Sequence, residues 1–164
     1  MVRIRKIDKI KDVDAAASVL RQANATVAAD LGFTQENAPT NPAFINTGTL
    51  RKQITGDRDF FVLEKENIII GTVAVEKSQK EKDTFYIERL AVLPEHRHNG
   101  YGKMLMEFAM DQVREENGKK VSIGIINENT MLKNWYISLG FTETGTKKFS
   151  HLPFTVCFLS KELT

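Results

Sequence analysis

The chain of 164 residues is 41% hydrophobic and carries a formal net charge of +2. This length and composition predict one domain, residues 1–164, with one substantial core. The charge is too small to indicate a nucleic-acid partner, which calls for a strongly basic, clustered surface. A single cysteine, Cys157, excludes an internal disulfide and lacks the partners of a metal site, so we expect no metal. Neither a secretory signal nor an apolar run of membrane length is present, which predicts a cytoplasmic protein without a membrane partner.

The hydrophobic pattern predicts both strands and helices. Residues 2–7 alternate apolar and basic side chains, which is typical of a strand with one solvent-facing side. Apolar residues from Val13 onward recur at helical spacing to about residue 29, and Gly32 follows as a stop signal. Segment 33–48 is a predicted long loop. The remaining predicted elements are a short helix at 50–55, strands at 60–64, 68–77 and 84–93, a helix at 100–116, a strand at 120–126, a helix at 129–139, and strands at 141–149 and 154–160. Within strand 68–77, Gly71 marks a bulge or a close approach.

This order of elements predicts a mixed fold of the α+β class. Antiparallel strands come first, a strand–helix–strand crossover follows, and a hairpin ends the chain. The crossover from strand 84–93 through helix 100–116 should make strand 120–126 its parallel neighbour, with a right-handed connection. We therefore expect a twisted, mostly antiparallel central sheet with one parallel strand pair and helices on both faces.

The turn between strand 84–93 and helix 100–116 is the strongest functional signal. The strand stops at Pro94, and the sequence RHNGYG at residues 97–102 leads into the helix. Free backbone N–H groups and the helix dipole converge at such a turn, which suits a phosphate or pyrophosphate. Gly100 and Gly102 allow the backbone to approach a ligand closely. A dinucleotide fingerprint is excluded because Leu105 stands where a third glycine is required, and no Gly-Lys-Ser/Thr of a P-loop follows.

Two stretches resemble motifs of the GCN5-related N-acetyltransferase (GNAT) family. The first is a strand that ends in an apolar-x-Val-x-Pro run, followed by Arg or Gln-x-x-Gly-x-Gly or Ala. Arg97, Gly100 and Gly102 occupy its three fixed places. The second motif has an Asn, a Tyr seven residues later, and then x-x-x-Gly-Phe. Its places are occupied by Asn129, Tyr136, Gly140 and Phe141.

This resemblance implies a GNAT-like three-layer fold and an N-acetyltransferase. The co-substrate would be acetyl-CoA, and the acceptor a primary amine of a small molecule or peptide that attacks directly in a ternary complex. Such enzymes are monomers or homodimers. The alternative is a non-catalytic acyl-CoA-binding sensor or regulatory domain, against which the presence of Tyr136 argues. Segment 33–48 would shape the acceptor pocket or serve as a plain connection.

The resemblance also assigns the coenzyme-binding residues. The pyrophosphate would lie on the N–H groups of residues 97–102, with positive charge from Arg97, Lys103 or a protonated His98. Backbone groups of the central strand would pair with the amide-bearing arm as an added strand does, and the side-chain amide of Asn129 would add a hydrogen bond. The predicted coenzyme-binding residues are Leu90, Ala91, Val92, Arg97, His98, Asn99, Gly100, Tyr101, Gly102, Lys103 and Asn129.

Acyl transfer to an amine is helped by an uncharged amine, a stabilised oxyanion and a proton for the leaving thiolate. The resemblance places Tyr136 near the sulfur, where its hydroxyl would supply that proton. The alternative for Tyr136 is a buried side chain that completes the apolar face of its helix. A backbone N–H near Val92 would bind the oxyanion.

Glu88 is the candidate base. Strand alternation predicts that Glu88, Leu90 and Val92 share one face, with Glu88 about 13 Å from Val92 along the strand. A water chain would bridge that distance. Two other roles remain open, in which Glu88 binds the acceptor or is only structural. Arg89 is predicted on the other face, in solvent.

Overall fold

A computed structural model of the protein describes residues 1–54 and 57–164. The elements are β1 (Val2–Lys6), α1 (Val13–Asp30), α2 (Thr47–Ile54), β2 (Arg58–Lys65), β3 (Ile68–Lys77), β4 (Thr84–Val92), α3 (Tyr101–Glu115), β5 (Lys120–Ile126), α4 (Thr130–Ser138), β6 (Thr142–Lys148) and β7 (Thr155–Glu162), with 3₁₀ turns at Pro42–Phe44 and Pro94–His96. Each element that the sequence predicts is present. The helix predicted at 50–55 begins three residues earlier than expected, and its last predicted residue lies outside the described residues.

Within the described ranges the strands form one seven-stranded sheet in the order β1-β2-β3-β4-β5-β7-β6. Neighbouring strands are antiparallel except β4 and β5, which α3 connects as a crossover and which are parallel. The predicted α+β class, with a mostly antiparallel sheet and one parallel pair, is therefore confirmed. No helix in the part of the chain that the structure describes is long and apolar enough to cross a membrane.

The core lies on both sides of the sheet, because β2 and β3 are buried on both faces over most of their length. On one face Phe61 of β2 meets Phe108 of α3 edge to face, with ring centroids 4.9 Å apart. Gly71 leaves room for α3, since a Cβ there would lie 3.0 Å from Leu105 Cδ1. Helices α1 and α2 cover the other face, and buried α1 residues recur at helical spacing, such as Val13, Ala16, Ala17 and Leu20.

A β-bulge interrupts the middle of β4. Two residues of β4, Arg89 and Leu90, lie opposite the single residue Val73 of β3. Arg89 has φ 54°, in the left-handed region that residues other than glycine seldom adopt. The buried Thr72 hydroxyl donates a 2.7 Å hydrogen bond to the carbonyl oxygen of Arg89. This bond satisfies a backbone acceptor that the bulge removes from regular pairing.

The bulge reverses the strand alternation beyond Glu88. Glu88 lies opposite Ala74, and Ala91 lies opposite Thr72, so Glu88 and Ala91 share a face. Val92 lies opposite Gly71, the neighbour of Thr72 in β3, and therefore faces the other side of the sheet. The prediction that Glu88, Leu90 and Val92 share a face is therefore wrong, because one extra residue shifts the two-residue period by one position.

The sheet opens between β4 and β5. Their parallel pairing covers only three residue pairs, from Thr84 with Lys120 to Tyr86 with Ser122. Beyond Tyr86, β4 continues beside β3 to Val92, and β5 continues beside β7 to Ile126. Over residues 87–92, the β4 edge that faces β5 is consequently not paired with any strand in the described part of the chain. This gap positions the candidate site.

Candidate active site

A cavity of about 430 Å³ lies at the gap between β4 and β5. Its walls come from α1, from the loop before α2, from the diverging parts of β4 and β5, from α4, and from the segment that leads into β7. The lining residues are Leu20, Asn24, Ala38, Thr40, Asn41, Pro42, Ile87, Glu88, Arg89, Leu90, Ile123, Gly124, Ile125, Ile126, Leu132, Tyr136, His151, Leu152, Phe154 and Val156. Both candidate catalytic residues, Tyr136 and Glu88, thus line one cavity.

The turn before α3 exposes backbone donors. Gly100 has φ 82°, a conformation that favours glycine, and His98 has φ 65°. Among the described residues, no acceptor receives a hydrogen bond from the backbone N–H groups of residues 98–103, and no side chain caps α3. A Cβ on Gly100 would meet nothing within 4 Å, so the space beside it is open. Free N–H groups at the positive end of a 15-residue helix suit an anion.

Side chains of the same turn hold it in place. Arg97 Nη2 donates a 2.6 Å hydrogen bond to the carbonyl oxygen of Ala23 in α1. Asn99 Nδ2 donates to the carbonyl oxygens of His96 and Arg97, each at 3.1 Å. Lys103 Nζ lies 3.9 Å from Glu107 Oε1 on the exposed side of α3. Arg97 and Asn99 thus stabilise the shape of the turn through these hydrogen bonds. The backbone N–H groups of the turn stay free of acceptors within the described part of the chain, and whether the charges of Arg97, His98 and Lys103 contact a ligand stays a prediction.

Gly102 lies beside α4. A Cβ at this position would lie 3.4 Å from Cζ2 of Trp135, an ordinary van der Waals contact, so the first turn of α3 passes close to the indole without requiring a glycine there. The ring of Trp135 contacts the ring of Tyr136, with centroids 4.9 Å apart. Trp135 therefore links the N–H cluster of the turn to the cavity that Tyr136 lines.

The remaining predicted coenzyme-binding residues lie on β4 and at the start of α4. Leu90, Ala91 and Val92 lie on the β4 edge that diverges from β5. Asn129 is the N-cap of α4, where its side chain accepts a 3.2 Å hydrogen bond from the backbone N–H of Leu132. Its side-chain oxygen is therefore committed to the helix, and its NH₂ group is the part that could bind a ligand.

Tyr136 is both buried and part of the cavity wall. Its side chain is 5% exposed and meets the rings of Trp135 and Phe141 edge to face, at centroid distances of 4.9 and 5.5 Å. The hydroxyl makes no hydrogen bond with any described residue. Burial raises the pKa of Tyr136 above its ordinary value, so the hydroxyl keeps its proton at neutral pH. The two interpretations of this residue, core side chain and proton donor, are geometrically compatible.

Glu88 belongs to a charged group beside the cavity. Arg58 Nη2 lies 2.9 Å from Glu88 Oε2 and 3.3 Å from Glu76 Oε2. Burial raises the pKa of Glu88, the Arg58 charge opposes that rise, and the nearby Glu76 carboxylate adds to it. The net rise makes Glu88 a stronger base than an ordinary glutamate. The sequence pattern did not indicate Arg58 or Glu76, which lie opposite each other in the β2–β3 hairpin.

Arg89 does not lie in solvent as predicted. It is partly buried, lines the cavity and donates from Nε to Gln53 Oε1 of α2 at 3.1 Å. Burial, followed by the neighbouring Arg58 charge, lowers the pKa of Arg89, and Glu88 opposes that change. The bulge explains the error, because the simple alternation used for the prediction does not hold at a residue in the left-handed region.

Cys157 is a core residue. It is fully buried in β7, and burial raises the pKa of its thiol, which disfavours the thiolate that a nucleophile needs. In residues 1–54 and 57–164, no three His, Cys, Asp or Glu side chains are grouped so that they could hold a metal ion. His151 is exposed and reaches the cavity wall.

Comparison with known proteins agrees with the two motifs. Residues 27–141 match the acetyltransferase (GNAT) family. An uncharacterized N-acetyltransferase in the pepI 3′ region of Lactobacillus delbrueckii subsp. lactis is 31% identical over 131 residues, which cover 71% of this chain and 74% of that protein.

Solved structures show the same fold. The ribosomal-protein-S18-alanine N-acetyltransferase from Escherichia coli aligns with a TM-score of 0.77 and 16% identity, over 100% of this chain and 95% of that chain. The PaiA N-acetyltransferase from Thermoplasma acidophilum, in complex with coenzyme A, aligns with a TM-score of 0.76 and 16% identity, over 99% of each chain.

The resemblance first seen in two short motifs is thereby confirmed over most of the chain. Because the family match spans well over half of the residues and a relative shares 31% identity, the chain belongs to the GNAT family of acetyltransferases and is an acyltransferase enzyme.

Proposed function

We propose that this enzyme transfers the acetyl group of acetyl-CoA to a primary amine of a small molecule or peptide. The observation that carries the proposal is the junction of two features. The free N–H groups before α3 adjoin, through Trp135, the opening between β4 and β5 that Tyr136 lines. A pyrophosphate at the turn and an extended thioester-bearing arm in the opening fit this junction.

The groups on the wall of the opening match the parts of the co-substrate. The N–H groups of residues 98–103 suit the pyrophosphate. The unpaired β4 edge over Leu90, Ala91 and Val92 suits the amides of the arm, which would pair with it as an additional strand. The NH₂ group of Asn129 offers one more donor. The complex of the Thermoplasma acidophilum enzyme with coenzyme A supports this choice of co-substrate.

Two residues would move the protons of the reaction. Glu88 takes a proton from the amine, directly or through water, so that the neutral nitrogen attacks the thioester carbon. A C–N bond forms and the C–S bond breaks within the ternary complex, without a covalent enzyme intermediate. Tyr136 gives its hydroxyl proton to the leaving sulfur, which departs as the thiol. Its raised pKa suits a residue that must stay protonated until that moment. The new amide nitrogen loses its surplus proton to solvent, the Tyr136 phenolate regains a proton from solvent, and Glu88 releases the proton that it took.

The alternative of a non-catalytic acyl-CoA sensor lacks a supporting observation. Membership of a family of acyltransferases and the position of Tyr136 on the cavity wall both favour catalysis.

The proposal is tested by measuring thiol release from acetyl-CoA with a broad panel of primary amines, alongside CoA binding by calorimetry. We expect CoA to bind and thiol release to depend on the amine added. CoA binding without thiol release across the whole panel would support the sensor instead. The absence of any CoA binding would remove the turn before α3 from the proposal as well.

A further inference from the structure

Two opposite charges stand side by side on the cavity wall. Glu88 and Arg89 are consecutive residues of β4, and both line the cavity. In the described part of the lining, Glu88 is the only carboxylate and Arg89 the only guanidinium. An acceptor in the cavity would therefore meet one negative group, Glu88, and one positive group, Arg89. It would also meet apolar lining residues, among them Ala38, Leu152 and Phe154.

Arg89 keeps most of its donors uncommitted. Its Nε–H donates to the neutral amide oxygen of Gln53, at 3.1 Å. Neither Nη1 nor Nη2 donates to any of the described residues, and none of the carboxylates described by the structure forms an ion pair with Arg89. Arg58, a few ångströms from the same site, has both Glu76 and Glu88 beside it. Arg89 is therefore a partly buried cation. The edge of its guanidinium that carries Nη1 and Nη2 has no anionic partner among the described residues.

The bulge supports a functional role for this placement. Arg89 adopts φ 54°, a left-handed conformation that is unfavourable for a residue with a Cβ. The hydrogen bond from Thr72 to its carbonyl oxygen stabilises that conformation. Bulges beside active sites commonly reorient one side chain, and strained residues concentrate at ligand sites. A partly desolvated guanidinium gains most from a planar anion that accepts two parallel hydrogen bonds, such as a carboxylate.

We infer that the acceptor is a free α-amino acid with an apolar side chain, whose carboxylate binds Arg89 while its amine faces Glu88. The inference rests on the proposed acetyl transfer and narrows its acceptor class. The apolar lining around Ala38, Leu152 and Phe154 suits the side chain of such an acceptor. Polyamines fit poorly, because Arg89 on the cavity wall would repel a second cationic group.

The test compares matched acceptors in the thiol-release assay. Leucine, methionine and phenylalanine are each measured beside the corresponding decarboxylated amine and the corresponding amide. Because the amide has the least basic nitrogen of the three, it would react fastest if the fraction of neutral amine alone decided the rate. We expect kcat/KM for the amino acid to exceed that of both analogues by about 100-fold. Neither analogue has a carboxylate to pair with Arg89, and leaving a partly buried charged group without its partner typically has an effect of this size.

A variant assigns the preference to the guanidinium. Arg89→Met should lower kcat/KM for the amino acid about 100-fold and leave the decarboxylated amine within a few-fold of the wild-type value. Arg114→Met is the control, because Arg114 lies on α3 beside Asp111 and away from the cavity. It should leave both values unchanged.

The outcomes separate the two proposals. If the amines without a carboxylate, or polyamines and lysine peptides added to the panel, react as well as the amino acids, the acceptor inference is overturned and acetyl transfer stands. If Arg89→Met lowers all acceptors equally, Arg89 does not recognise the carboxylate. If no member of the panel is acetylated, the proposed function is overturned, and the acceptor inference with it.

Discussion

Replacing Tyr136 by Phe removes one hydroxyl from the cavity wall and little else. The ring keeps its contacts with Trp135 and Phe141, and no described residue loses a hydrogen-bond partner. We therefore expect the free energy of unfolding to change by less than about 0.5 kcal/mol. Loss of a positioned proton donor should lower kcat by about 10²–10⁴-fold. At 1.36 kcal/mol per tenfold change, that corresponds to a barrier about 2.7–5.4 kcal/mol higher.

The assay is steady-state thiol release with saturating acetyl-CoA, with coenzyme affinity measured separately by calorimetry. The Kd for acetyl-CoA should stay close to the wild-type value, because the hydroxyl acts on the leaving sulfur. Tyr86→Phe is the control, since its hydroxyl lies 3.2 Å from Ser78 Oγ and the residue is not among the described lining of the cavity. A Tyr136→Phe enzyme with normal kcat would refute the role of proton donor and leave Tyr136 as a core residue.

Three further predictions concern the base, the turn and the packing of α3. Because Arg58 lowers the pKa of Glu88 and Glu76 raises it, Arg58→Met should move the acidic limb of the kcat/KM profile to higher pH and Glu76→Gln to lower pH. A limb that stays in place in both variants excludes Glu88 as the base. Gly100→Glu should abolish CoA binding in calorimetry by placing a carboxylate at the anion site. Gly100→Ala, which shares the backbone strain, is its control, and an unchanged Kd in the glutamate variant would remove the turn from the site. Gly118→Ala should lower the free energy of unfolding in urea by about 1–3 kcal/mol, because its Cβ would lie 2.3 Å from a valine methyl of α3. Wild-type stability would contradict that packing.

The sequence predicted the features that depend on neighbours along the chain. The turn before α3 is encoded within residues 94–102, and a strand, a glycine and a helix follow one another there without help from distant residues. The same holds for α4, where the Asn129 N-cap and the Tyr136 position lie on one short helix. The element order sufficed to predict the parallel pairing of β4 with β5.

The charged arrangement beside the cavity depends on distant residues and could not be predicted in this way. The bulge at Arg89 depends on how β3 pairs with β4. It is stabilised by the hydrogen bond from Thr72, which lies 17 residues earlier in the chain. Gln53, which accepts a hydrogen bond from Arg89, lies 36 residues earlier in the chain, on α2. Arg58 of β2 lies opposite Glu76 of β3, and its side chain extends past β3 to form an ion pair with Glu88 of β4. Alternation alone therefore gave the wrong face for Val92 relative to Glu88 and the wrong environment for Arg89.

Amide chemical shifts measured during a titration test most directly whether the turn before α3 binds the coenzyme. In ¹H–¹⁵N spectra, added CoA should shift the backbone amides of residues 98–103 strongly. Pantetheine, which has the arm and the thiol but no pyrophosphate, should leave them in place and shift signals along the β4 edge. CoA that binds while the amides of residues 98–103 remain unmoved would contradict the account.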